Sequence, residues 1–186
     1  MNLSPRTFLR VMLLPLFASL AGCWMSTEPL IDEENASTVP FLGKYSDPEG
    51  SDEPIVISAA DGQAFEIAQG ERSDLHYAIA IGEDFYLVQF VDAVKKPQPI
   101  DLGPDLKGTR KPTQISAYFL INWDGEEIAL FEPECRDDIL GMKGVEGDAT
   151  ACVFGDLEDL KGAASAYIED FSKSSKGVDV LKPWEG

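Results

Sequence analysis

Short apolar runs that come in pairs, each pair split by a turn signal, restrict this chain to a β-rich fold. Residues 54–58 and 64–68 flank Asp61-Gly62, and residues 118–122 and 127–131 flank Asp124-Gly125. Asp-Gly between apolar runs predicts a hairpin, because a two-residue type I′ turn needs positive φ at both central positions. Residues 76–81 and 85–91, joined by Gly82-Glu83-Asp84, predict a third. In the first of these runs Tyr77, Ile79 and Ile81 share one face, while Ala78 and Ala80 share the other. The second is apolar at nearly every position, as a central strand covered on both faces requires.

The cover is predicted near the C-terminus. From Asp156, a favourable N-cap residue, Leu157, Leu160, Ala164, Tyr167, Ile168 and Phe171 recur at helical spacing. Lys173 and Lys176 suit the end of that helix, and Gly177 suits its cap. A meandering antiparallel sheet with a C-terminal amphipathic helix packed on it is an α+β domain. The alternative is a lipocalin-like β-barrel with an open interior. The broad apolar stripe of the helix favours the sheet. A short helix is also expected within residues 136–142, and the tail 178–184 is too apolar for a free end, so it is expected to pack on the domain.

The N-terminal segment belongs to a different class. Arg6 and Arg10 precede an apolar stretch over residues 11–20, and small residues lead to a cysteine in Leu20-Ala21-Gly22-Cys23. This is the pattern of a secretory signal peptide. The apolar run is shorter than the roughly 20 residues that a membrane-spanning helix needs. The tetrapeptide resembles the lipobox of bacterial lipoproteins, and the chain as a whole resembles those in which a lipobox precedes a β-rich soluble domain. The resemblance implies cleavage between Gly22 and Cys23, diacylation of the Cys23 sulfur, and a fatty acyl group such as palmitate on the new amino terminus. One acyl chain holds a protein to a membrane only marginally, whereas two or more make the attachment lasting. Trp24 stands where an aspartate is associated with inner-membrane retention. The resemblance thus points to the outer membrane, facing the periplasm, with a Gram-positive cell surface as the alternative. The expected organisation is a signal peptide over 1–22, a flexible tether over 23–38, and one globular domain over 39–186. Residues 24–38 read as a tether because they mix acidic and small polar residues with no sustained period.

The formal net charge of -18 becomes about -20 once residues 1–22, with two basic side chains and no acidic one, are removed. So negative a body repels nucleic acid and anionic headgroups, which argues against a nucleic-acid partner. Cys135 and Cys152 remain, in a compartment where disulfides persist. Pairing them closes a loop of about 18 residues and contributes roughly 3 kcal/mol. The rival reading is a free Cys152 acting as nucleophile with the only histidine, His76, as base.

Elsewhere the chemistry is sparse. Charge reverses once, where Lys95, Lys96, Lys107, Arg110 and Lys111 face only Asp101 and Asp105 in a Pro-rich stretch, a possible interaction patch. The run 103–110 has P-loop-like glycines, but Thr109-Arg110 follow the second glycine where Lys and Ser or Thr are required. Asp47, Glu49, Asp52 and Glu53 could hold a hard cation, yet Ser58 occupies the position of the closing glutamate of an EF-hand, so a solvated turn is expected. A single histidine and a paired cysteine set supply no transition-metal site, and no catalytic motif or cofactor motif is present. The sequence therefore predicts a non-catalytic accessory or protein-interaction module, attached to the membrane through lipid and working with an envelope protein partner. Two alternatives stand beside it: a carrier or sensor of a small apolar ligand in a cavity beside Ala78 and Ala80, and a hydrolase of envelope polymers.

Overall fold

The computed structural model describes residues 24–91, 115–148, 150–171 and 179–185. The chain forms β1 (Trp24–Ser26), β2 (Gly43–Tyr45), β3 (Ile55–Ala59), β4 (Phe65–Gln69), β5 (Arg72–Ala80), β6 (Phe85–Val91), β7 (Ser116–Trp123) and β8 (Ile128–Phe131). There follow α1 (Asp137–Leu140), β9 (Val145–Asp148), β10 (Ala151–Phe154), α2 (Leu157–Phe171) and β11 (Asp179–Leu181). The strands build one open, mixed sheet with a C-terminal helix packed on it, the expected α+β arrangement and not a closed barrel.

From β2 to β7 the sheet is a meander in chain order, every pair antiparallel. The three predicted hairpins are present, but their loops are longer than two residues. Ala59 pairs with Phe65, Ala80 with Tyr86, and Trp123 with Ile128. At the last of these the Asp124 carboxylate accepts the backbone N–H groups of Glu126 and Glu127, so the turn is held by a side chain. The two-residue turn lies where no Asp-Gly marks it. Gln69 pairs with Arg72 across Gly70-Glu71, and Gly70 takes φ +61. This turn extends β5 back to Arg72 through four exposed residues.

Strand β7 has β6 along one edge and shares its other edge between two partners. Near its start Ser116 and Ala117 pair with Ser26 and Met25 of β1, and further on Leu120–Trp123 pair with β8. Strand β1 then pairs in parallel with β10, which continues to β9, and β8 passes on to β11. The tail curls back as expected. Leu181 is buried, Ser46 donates to the Lys182 carbonyl at 2.7 Å, and Trp184 donates to the Lys44 carbonyl at 3.0 Å.

Because β5 to β8 are covered on both faces, there are two cores. On one face, called the inner face here, Phe41, Tyr45, Ile57, Phe65, Ala78, Val88, Ile121, Ile128 and Leu181 pack together. On the outer face, Ile79, Leu87, Tyr118, Leu120 and Phe131 meet Trp24, Ile31, the Cys135 and Cys152 pair, Phe154, and Leu160, Ala163 and Ala164 of α2. Leu87 and Val88, adjacent in β6, are both fully buried on opposite sides, as its unbroken apolar run requires. The cap of α2 is Asp156, whose carboxylate accepts the Asp159 N–H at 2.9 Å. Lys173, Lys176 and Gly177 lie outside the described residues.

One expectation fails. Residues 24–38 are not a tether: the described fold already includes Trp24, fifteen residues before the expected boundary at 39. Trp24 and Ile31 have no exposed surface and Ala36 only 8%. These anchors are too far apart in sequence to show a period, and polar groups on distant strands complete the segment's bonding.

Candidate functional site

The most elaborate polar construction in the described residues is the seam where β1 enters the sheet. Ser26, Gln89 and Tyr118 are buried at 1%, 0% and 1% exposure, so each must find partners inside the protein. The Gln89 side chain acts as a clamp: its Oε1 accepts the N–H groups of Leu30 at 2.8 Å and Ile31 at 2.9 Å, and its Nε2 donates to the Ile31 carbonyl at 2.7 Å. The Tyr118 hydroxyl donates to Gln89 Oε1 at 3.1 Å and lies 2.6 Å from Ser26 Oγ. Burial pushes the Tyr118 hydroxyl above its ordinary pKa of 10.0, against the opposing effect of the bonds to Ser26 and Leu30, so it stays protonated and able to donate.

Beside this network stands an aromatic cluster. The Trp24 ring is 5.2 Å from Phe154 and 5.7 Å, edge-on, from Tyr167. The Arg136 guanidinium lies 5.0 Å from the Tyr167 ring centre and reaches Asp138 at 2.8 Å and Asp170 at 2.7 Å. The Trp24 indole N–H donates to the Glu134 carbonyl at 3.3 Å. The next residue is Cys135, bonded to Cys152 with Cα atoms 5.3 Å apart, and Cys152 is the register partner of Trp24. The cystine, β1, β10 and α2 thus meet around one tryptophan.

The other candidates are dispersed. The nucleophile reading of Cys152 is overturned, because a disulfide sulfur has no thiolate to offer. His76 belongs to the opposite core, 3% exposed and ringed by Phe65, Phe90 and Phe119 at 5.5, 5.3 and 6.1 Å. Its Nδ1 has no partner, and burial lowers its pKa from 6.5 to about 4, with a bond to the Gln89 backbone acting the other way. A neutral imidazole sealed among rings cannot reach a substrate. In the acidic loop, the Asp47 carboxylate is already engaged, accepting the Glu49 N–H at 2.9 Å and the Gln69 amide at 2.8 Å. No group of three or more His, Cys, Asp or Glu suited to a metal ion occurs among the described residues.

Ala78 and Ala80 do not share a cavity wall: Ala78 is fully buried in the inner core, while Ala80 is exposed. A cleft between Val39, Leu42, Ala64 and Phe65 measures about 60 Å³, against the roughly 300 Å³ at which small-molecule pockets begin. Gly22, Cys23, Lys95, Lys96, Lys107, Arg110 and Lys111 lie outside the described residues. Among the described residues no helix is long and apolar enough to cross a membrane. Comparison with protein-family models, with curated proteins and with solved structures finds no match.

Sequence reasoning found the cystine and missed the seam. The signal that could have revealed it was Trp24: a bare tryptophan is an improbable component of a solvated tether.

Proposed function

We propose that the protein is an envelope lipoprotein, anchored by lipid at Cys23, that acts as a non-catalytic interaction module on the periplasmic side of the outer membrane. The lipobox at Leu20-Ala21-Gly22-Cys23 carries this reading. The Cys135–Cys152 bond fits an oxidising compartment. The burial of His76 and the cystine at Cys152 remove the Cys152–His76 pair as a nucleophilic site. A surface that recruits an envelope protein is the proposed role, and the basic stretch from Lys95 to Lys111 is its proposed contact.

Mass spectrometry of protein extracted from its native membrane tests the anchor. The N-terminal peptide should begin at Cys23 and carry a thioether-linked diacylglyceryl group; an intact leader with an unmodified thiol contradicts the reading. Reversing the charges of Lys95, Lys96, Arg110 and Lys111 should then abolish co-purification of an envelope protein, and unchanged recovery of that protein would remove the contact from this stretch.

A further inference from the structure

An acceptor sequence for N-linked glycosylation, Asn-x-Ser or Asn-x-Thr with x other than proline, has meaning only where the chain is exported and the asparagine ends on the surface. This chain holds two, Asn2-Leu3-Ser4 in the leader and Asn35-Ala36-Ser37 in the folded domain. With cleavage before Cys23 only the second remains. Its asparagine is exposed, on the turn formed by residues 33–35. The side chain has a hydrogen to spare: Oδ1 accepts the Asp32 N–H at 3.1 Å, and Nδ2 uses one of its two hydrogens to donate to the Leu30 carbonyl at 3.2 Å. Exchanging the other hydrogen for a sugar carbon leaves both bonds possible.

We propose that Asn35 is an N-glycosylation site, and that the sugar is added before the N-terminal segment docks on the sheet. This rests on export of the chain by its leader. The donor is an oligosaccharide carried on a lipid diphosphate. Asn35 Nδ2 attacks the anomeric carbon, the N–C bond forms as the C–O bond to the diphosphate breaks, a base of the transferase takes the Nδ2 proton, and the lipid diphosphate leaves with the electron pair. The order of events follows from Ser37. In the folded domain it donates its N–H to the Ala78 carbonyl at 2.7 Å, and its Oγ accepts the Ala80 N–H at 3.2 Å, on the β5 edge that β4 leaves free beyond His76. Ala36 between them is buried. A transferase that must close around Asn35 and Ser37 together is therefore shut out once the segment has docked. The docking partners arrive late, since Ser37 precedes Ala80 by 43 residues and Ile31 precedes Gln89 by 58. At 5–20 residues per second the shorter lead lasts about 2–9 s, during which the acceptor is open.

Protein extracted from its native membrane is digested, and the peptide carrying Asn35 is fragmented by electron transfer, which leaves a glycan on its residue. Asn35 should carry the glycan; Ser37→Ala should remove it and Ser37→Thr should keep it, although the asparagine is unchanged in both. For the timing, unglycosylated protein from a host without the transferase is folded and then given an oligosaccharyltransferase and its lipid-linked donor. The Trp24→Ala variant, with its N-terminal segment loosened, should be modified at least about tenfold faster than the parent chain, and equal rates overturn the proposed order of events. A bare Asn35 in native protein that begins at Cys23 overturns the site and leaves the anchor standing. A bare Asn35 behind an intact leader overturns both.

Discussion

The two faces of the β5–β8 sheet are filled in different ways. The inner core is assembled from neighbours: each strand of the meander contributes alternate residues, from Tyr45 and Ile57 through Val88 to Ile128, and Leu181 of the tail completes it. The outer core is assembled from distant pieces: Trp24 and Ile31 from one end of the chain, the cystine from the middle, and Leu160, Ala163 and Ala164 from α2. The first is specified by a period of two along the chain, and the second by polar clamps, a covalent bridge and a tryptophan. The outer core should therefore depend more on single residues, and its loss should separate the N-terminal segment from the sheet.

The largest effect is expected at Trp24. Trp24→Ala leaves a cavity between Phe154 and Tyr167 and should cost about 3–5 kcal/mol in urea unfolding. It should also loosen residues 24–36 while the inner core stays packed. Opening the cystine, by reduction or as Cys135→Ala with Cys152→Ala, should cost about 3 kcal/mol for a sequence separation of 17, again with its local effect on the outer side.

Acid probes the opposite face. His76 has a folded pKa lowered to about 4 from 6.5, so the unfolded chain binds its proton more readily and stability rises with pH between those values. Acidifying from above 6.5 to below 4 should cost about 3 kcal/mol from this residue, at 1.36 kcal/mol per pKa unit. His76→Phe should remove that part of the slope in unfolding curves measured across the window, and a slope that survives assigns it to other groups. The smallest effect is expected at the helix cap, where Asp156→Ala should cost about 1 kcal/mol and reduce helicity near Leu157 alone.

The legibility of the sequence follows the same division. Period-two runs and Asp-Gly signals exposed the meander and three of its hairpins, and helical spacing exposed α2, because these signals are local. The turn at Gly70-Glu71 escaped because the β5 residues after it, Arg72 to Leu75, are mostly polar and become a strand only by pairing with β4. The seam escaped for a stronger reason. The bonds of Leu30 and Ile31 are made by Gln89, some sixty residues away, and Gln89 sits in a run whose apolar neighbours gave no sign that its amide would be buried as a clamp. The cystine was readable from composition and compartment alone. The joining of β1 to β10 beside it was not, since a three-residue parallel pairing leaves no pattern in the sequence.

The most direct test of an integral N-terminal segment is native-state hydrogen exchange at the amides of Leu30 and Ile31. Held by the Gln89 side chain, they should exchange as slowly as the central amides of β6 and β7, opening only with the whole domain. Exchange at the rate of an unstructured peptide, with β6 and β7 still protected, would show that residues 24–38 are a tether after all and would remove the seam.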